Sequence, residues 1–321
     1  MNNGFPVYGP EDVRKLLDYG GCIAAVREAM SQFARDGTPQ PLRSIFELEQ
    51  EKLFGIMPGT LSAPEGFGAK IISVFENPHH PGRAAHRGLV VLFRREDGEV
   101  ACIADAEEVT KIRTAASSAV ATDALARPDA TSLAVFGCGA QAESHVRAIS
   151  KVRHLQRVLI WGRSLSSARE FASRMAAETN LVIHAIESPE AAARNADIIC
   201  TVTSSPTPVL FGKWVRPGTH VNVVGSSRPG PIEIDPELVV QSRYVADSRR
   251  SALATASEFL AARDAGLIRD DHIVGEIGEV LLGRIRGRTS VAEITIYKSL
   301  GHIVQDLAAV TYIHERAKQK K

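Results

Sequence analysis

No stretch of the 321-residue chain approaches the ~20 consecutive apolar residues that a membrane-spanning helix needs. Met1 to Ala24 carries no basic segment followed by an apolar one, so no secretory leader is expected. Cysteine is scarce. Cys22, Cys102, Cys138 and Cys200 stand far apart with no CxxC pair, which argues against a disulfide framework and for free thiols in a reducing cytoplasm. Excess charge is missing too: 38 Lys and Arg against 37 Asp and Glu leave a net +1, so neither a nucleic acid nor another polyanion is implied as partner. A P-loop, a Ser/His/Asp order, an internal repeat and a low-complexity tract are all lacking. His79-His80 has the look of half a metal site, but no third ligand stands at a suitable spacing, and a solvated loop is the expectation.

What is present is led by Ser132 to Ile149, SLAVFGCGAQAESHVRAI. An apolar run, Ser132 to Phe136, predicts a buried strand, and Ala140 onward predicts a helix. Between them lies Gly137-Cys138-Gly139-Ala140-Gln141-Ala142, the G-x-G-x-x-G/A pattern of a dinucleotide turn. Gly137 suits a tight turn, Gly139 lets a pyrophosphate approach the backbone, and the helix N-terminus offers free N–H groups to phosphate. Strands are expected at Arg157–Trp161, Val182–Ala185, Ile198–Val202, His220–Val224 and Tyr244–Ala246, with helices between several of them. That rhythm predicts a doubly wound parallel sheet of Rossmann type.

The chain before it differs in kind. Pro10 to Phe33 has helical spacing, with Gly20-Gly21 as the expected break between two helices. From Leu42 to Ala104 the apolar period is two, in five successive strands. A helix is expected over Thr110 to Ala126, and later ones over Ser251–Ala265, Gly275–Leu282 and Leu300–Lys318, with a strand over Glu293–Lys298.

Two sets of residues carry chemistry. The second strand of the dinucleotide fold runs into Gly162-Arg163-Ser164 with no acid at its tip. An acid there would hold a ribose 2′-OH, whereas Arg163 and Ser164 suit a 2′-phosphate, so NADPH is favoured and NADH is the alternative. Arg43, Lys70 and Arg113 stand in apolar or small-residue surroundings, where a cation needs a partner. That partner is either a substrate carboxylate or a local acid such as Glu47 or Asp105. His86 could donate a proton.

Taken together, Pro41-Leu42-Arg43, Gly55-Ile56-Met57-Pro58, Gly68-Ala69-Lys70, His86 with Val90 to Phe93, TKIRTAA over Thr110 to Ala116, GCGAQAESH over Gly137 to His145, VVGSSRPGPIEID over Val223 to Asp235, GEIGEV over Gly275 to Val280 and YKSLG over Tyr297 to Gly301 resemble the ornithine cyclodeaminase/mu-crystallin family. The resemblance implies an α/β fold in which the Rossmann domain, 119–297, is inserted in an α+β substrate-binding and dimerisation domain, 1–118 plus 298–321. It implies a homodimer. It implies that Arg43, Lys70 and Arg113 line the substrate pocket and bind an α-carboxylate. Met57 and His86 are expected in the same pocket, and Lys70 and Arg113 are the expected catalytic residues, Lys70 either supplying a proton or only binding the carboxylate. It implies dinucleotide contacts from Thr114, Gly137, Gly139, Ala140, Gln141, Arg163, Ser164, Val202, Thr203, Gly225, Ser226, Ser227, Lys298, Ser299 and Gly301.

Members of the family include cyclodeaminases, alanine dehydrogenase-like enzymes, imino acid reductases and hormone-binding mu-crystallins. Cyclodeaminases typically carry Gly-Ala-Asp where this chain has Gly225-Ser226-Ser227, and a serine cannot take a proton as that aspartate does. The expectation is an NAD(P)H-dependent reductase of a small 2-imino acid such as pyrroline-2-carboxylate, piperideine-2-carboxylate or iminosuccinate. A deaminating enzyme of ornithine cyclodeaminase or alanine dehydrogenase type is the first alternative, and a non-catalytic binding protein the second.

Overall fold

Alternating apolar residues in the first hundred positions require a sheet with one covered face, and the continuous apolar runs after Ser132 require a sheet covered on both. The computed structural model describes residues 4–50, 52–62, 66–77, 80–227 and 229–320, leaving aside the side chains of 76–86. It contains two compact units, Met1–Arg113 with His302–Lys321, and Thr114–Gly301. The chain thus crosses at 113/114 and 301/302, a few residues from the expected 118/119 and 297/298.

The first unit opens with β1 (Val7–Tyr8), α1 (Pro10–Leu16) and α2 (Tyr19–Asp36), followed by β2 (Ser44–Glu49), β3 (Lys52–Leu61), β4 (Gly66–Asn77), β5 (His80–Arg94) and β6 (Val100–Asp105). These form one sheet in the order β1-β6-β5-β4-β3-β2, antiparallel except for the β1–β6 pair. Helix α3 (Ala106–Leu125) begins in this unit and ends in the next.

The second unit continues with β7 (Ser132–Phe136), α4 (Ala140–Ile149), β8 (Arg157–Trp161), α5 (Leu165–Thr179), β9 (Ile183–Ala185), α6 (Pro189–Arg194), β10 (Ile198–Thr201), β11 (His220–Val223), α7 (Pro236–Val240), β12 (Ser242–Ala246), α8 (Arg249–Thr255), α9 (Ser257–Asp264), β13 (Ile273–Glu276), α10 (Ile277–Leu281) and β14 (Ile294–Lys298). Its sheet is wholly parallel, in the order β13-β12-β14-β11-β10-β7-β8-β9. Strand β7 lies where the order reverses, so the ends of β7, β8 and β10 face the crevice where such folds bind dinucleotides. Every residue of β7, β10 and β11 is buried, as expected of strands covered on both faces.

The chain then returns to the first unit as α11 (Ile303–Gln319), which packs on α2 and across β3, β4 and β5. Small residues permit that approach. A Cβ on Gly59 would stand 2.3 Å from Ile303 Cγ2, and one on Gly68 would stand 2.0 Å from the Val91 carbonyl oxygen and 3.0 Å from Leu307.

Three expectations are corrected. Gly20-Gly21 lies inside α2, and the break falls at Leu17-Asp18, where the Asp18 side chain caps α2 by accepting from Gly21 N. Gly21 is there for space: a Cβ on it would meet the Tyr312 ring and hydroxyl of α11. Ser251–Ala265 is two helices, α8 and α9, separated at Ala256 by an extended backbone. Gly275–Leu282 begins as a strand, because β12 offers its open edge to Ile273–Glu276 and the pairing overrides helix propensity.

Candidate active site

The first unit gathers its cations around one carboxylate. Lys70 lies on β4, opposite Met57 of β3, so both side chains leave the same face of the sheet. Thr110 and Arg113 lie one turn apart on α3, and α11 contributes Gln305 and Asp306. Lys70 Nζ donates to Thr110 Oγ1 at 2.6 Å and to Asp306 Oδ1 at 3.2 Å. Arg113 Nε donates to the same Asp306 Oδ1 at 3.0 Å, and its Nη1 donates to Gln305 Oε1 at 3.0 Å. Lys70, Arg113 and Asp306 are all buried, as is Met57. Half-buried Arg43, just before β2, is close enough for its charge to bear on Lys70 and on His302. The local acids weighed from sequence, Glu47 and Asp105, are therefore not the partners of Lys70 and Arg113; a residue some two hundred positions away is.

The electrostatics follow from that composition. Burial pushes the Lys70 ammonium down to about 8; Asp306 pulls it back up, and Arg113 and Arg43 press it further down. Burial alone would raise the Asp306 carboxyl, but Arg113 and Lys70 outweigh it and hold the group below its ordinary value. Burial takes His302 down to about 4, so it is neutral at physiological pH. Among these groups one carboxylate, Asp306, is shared by two buried cations, Lys70 and Arg113. The side chain of His86, and all of His79, lie outside the described residues.

The second unit holds the features of a dinucleotide site. Gly137 adopts φ +132°, and a Cβ there would press on the Val202 carbonyl at 3.0 Å. Gly139 is the N-cap of α4, with open space where a side chain would be, so backbone N–H groups at Gly139, Ala140 and Gln141 are accessible to a pyrophosphate. Gln141 Oε1 and Ser299 Oγ are buried without a hydrogen-bond partner among the described residues, the state expected of groups that meet a ligand. Arg163 and Ser164 are exposed at the end of β8, but Ser164 Oγ also caps α5 by accepting from Ser167 N. These residues fit a dinucleotide.

Other expected contacts have different employment. Ser226 and Lys298 are fully buried, and Lys298 Nζ donates to Ser226 O and Oγ, both at 2.7 Å, while pairing with Glu258 Oε1 at 2.5 Å. Their side chains brace the Gly225–Ser227 segment from beneath. Gly301, at φ +84°, and Leu300 both donate backbone N–H to Asp247 Oδ2. Beneath Val202, Thr203 and Gly225 lies Glu233. Its two carboxylate oxygens accept from Thr203 N (2.6 Å) and Oγ1 (2.7 Å), and from Thr201 Oγ1 (2.9 Å) and Gly225 N (2.6 Å). Thr114 is buried at the head of the second unit; Ser227 is half-buried. Sequence reasoning missed Asp306, Glu233 and Glu258. The signal for Asp306 was a lone acid within Ile303, Val304, Leu307 and Val310, on what is otherwise an apolar helix face.

Fold and site together define the class: a Rossmann-type dinucleotide domain inserted in a unit that carries a buried, cation-rich cluster of Lys70, Arg113 and Asp306. More particularly, the chain belongs to the ornithine cyclodeaminase/mu-crystallin family, whose model matches residues 7–321. It is 32% identical over 297 residues to the ketimine reductase mu-crystallin of Mus musculus, covering 91% of each chain. It is 32% identical over 313 residues to the Δ1-pyrroline-2-carboxylate reductase of Bacillus cereus, covering 97% of this chain and 96% of that one. Among solved structures it resembles the Δ1-pyrroline-2-carboxylate reductase of Thermococcus litoralis in complex with NADH and L-proline, at a TM-score of 0.94, 28% identity and 98% coverage of both chains.

Proposed function

We propose that the protein is an NAD(P)H-dependent reductase that converts a small 2-imino acid to the amino acid. The observation that carries this reading is that two buried cations, Lys70 and Arg113, share a single carboxylate, Asp306, a positive charge in excess that a substrate carboxylate would balance. In this reading Arg43 and Arg113 bind that carboxylate in the planar, paired manner suited to guanidinium groups. Met57 supplies an apolar wall beside Lys70. The bound dinucleotide supplies a hydride to the imine carbon. Lys70 supplies the proton that makes the imine electrophilic, and its depressed proton affinity makes it a good donor near neutral pH. Ser227, where a catalytic aspartate would stand in a cyclodeaminase, favours reduction over deamination. The names of the relatives in mouse, Bacillus and Thermococcus point the same way.

The decisive assay follows NAD(P)H absorbance across a panel of cyclic 2-imino acids and of 2-oxo acids with ammonia or methylamine. Oxidation with at least one carboxylate-bearing imine is expected. Ammonia release from ornithine with no net NAD(P)H consumption would establish the deaminating reading instead.

The cofactor preference we propose is NADPH, supported by Arg163 at the exposed tip of β8 and by the lack of an acid there. Arg163→Ala should raise the KM for NADPH about 10-fold or more, the loss of one charged hydrogen bond, and leave that for NADH nearly unchanged. Equal changes for both cofactors would remove Arg163 from the 2′-phosphate site.

We also propose a homodimer in a reducing cytoplasm. The four cysteines are free thiols. Edge strand β2 presents Ile45, Phe46 and Leu48 at 46%, 50% and 57% exposure, an apolar surface that an edge strand rarely leaves to solvent. Sedimentation equilibrium should report a dimer, and Phe46→Lys should shift it toward monomer. A wild-type monomer at micromolar concentration would refute the assignment.

A further inference from the structure

Asp306 offsets part of the positive charge of Lys70 and Arg113. Its geometry says more. It enters from the first turn of α11 at zero exposure, and one of its oxygens, Oδ1, accepts from both Lys70 Nζ and Arg113 Nε. The other oxygen, Oδ2, is buried without a hydrogen-bond partner among the described residues. A carboxylate that serves only to hold a core together is normally saturated with donors. This one is half used, and everything it uses is spent on the two cations assigned to substrate.

We propose that Asp306 is the positioning residue of the anion site: it aims the Lys70 ammonium and the Arg113 guanidinium from behind and keeps Lys70 protonated under the conditions of turnover. The charged groups acting on Lys70 are Asp306 from α11, Arg113 from α3 and Arg43 from the segment before β2, and His302, the residue that precedes α11, lies near all three. Cys22 of α2 lies within reach of Asp306 and Arg113. His302 is neutral, and burial pushes the Cys22 thiol above the range in which it ionises near neutral pH. Asp18 also acts on Cys22, and Asp306 is the acid that acts on Lys70 itself among the described residues. Remove it, and two arginines act on an ammonium that has lost its solvation, so the proton is released at lower pH. Because Oδ1 is shared, the same carboxylate fixes the separation of the two donors, which is the property a bidentate carboxylate site requires.

The inference rests on the reading of Lys70 as proton donor only for its catalytic consequence, and the test separates the two. The protein is labelled with ε-13C-lysine, and the Lys70 resonance is identified by its loss in Lys70→Arg. Its titration midpoint is then followed by NMR. Asp306→Asn should lower that midpoint by about one pH unit or more, and Asp306→Glu, which restores the charge, should recover most of the difference. An unchanged midpoint in Asp306→Asn overturns the proposal. Should Asp306→Asn fail to fold, Arg113→Gln provides the converse. With one competing cation gone and Asp306 left to Lys70, the midpoint should rise, and a midpoint that stays or falls overturns the proposal equally. The upper limb of the kcat/KM–pH profile should move with the resonance. If the resonance moves and the limb does not, Asp306 still tunes Lys70, and the proton-donor reading is what fails.

Discussion

Replacing Lys70 with Met is expected to lower kcat/KM for imine reduction by about 10²–10⁴-fold, the range lost when a positioned general acid is removed. Methionine suits the replacement because Lys70 is buried and lies opposite Met57, so the change removes the ammonium while largely keeping the side-chain volume. The pH dependence should change with it. In the wild type the active form is the protonated one, and burial has brought Lys70 down to about 8, so kcat/KM should hold below that pH and fall above it as the proton is lost. Lys70→Met should lack that upper limb. Arg113 still pairs with Asp306 in the variant, so the fold should survive, which circular dichroism and thermal melting would verify. A variant that keeps a tenth or more of wild-type kcat/KM, or keeps the limb, would take Lys70 out of the chemistry.

Glu233→Gln is expected to cost on the order of 3 kcal/mol of stability in the dinucleotide unit and to weaken nucleotide binding about 10-fold or more. The reasoning is one of hydrogen-bond inventory. The Glu233 carboxylate accepts four bonds, two at each oxygen, and each oxygen takes one of them from a backbone N–H: Thr203 at one, Gly225 at the other. Threonine hydroxyls can rotate, but backbone N–H groups cannot. Whichever way the glutamine amide is turned, its NH2 faces one of those two donors, and a buried N–H is left unpaired. Gly225 has no slack to offer, since even a Cβ there would stand 1.9 Å from the Thr203 carbonyl oxygen. The ends of β10 and β11 should therefore part, with a melting temperature lower by about 10 °C and a raised Kd for the dinucleotide by fluorescence titration. Wild-type stability and affinity together would show that the four contacts do not govern that segment.

The dinucleotide unit was legible because its signals are local. Ser132 to Phe136, the glycine turn and the helix after it are adjacent in sequence, and the structure reproduces them as β7, a turn with Gly137 at positive φ, and α4. Lys70 and Arg113 were legible too, since a cation in an apolar segment is conspicuous wherever it stands. Their partner was not. Asp306 lies 236 positions after Lys70 in the chain, and no pattern of period two or 3.6 connects them. For the same reason the bracing of Ser226 by Lys298 and Glu258 escaped notice: a buried ion pair formed by residues on separate elements leaves no mark on local periodicity. The glycines at 20 and 21 read as a break, but Gly21 serves the close approach of Tyr312, and the extended backbone at Ala256 has no local signal in the sequence.

The return of the chain at α11 bears on the order in which the protein can be made. Strands β3 and β4, with Gly59 and Gly68 in positions shaped for a helix, emerge early from the ribosome, and so do Lys70 and Arg113. The helix that covers those glycines and the aspartate that offsets those cations come last. Until residues 303–319 are synthesised, the sheet of the first unit has an uncovered apolar face and a pair of buried-type cations in mutual repulsion. The residues of the Rossmann unit, Thr114–Gly301, are by contrast all synthesised before α11. The first unit is thus assembled from both sides of the second, and its cover comes last of the described elements.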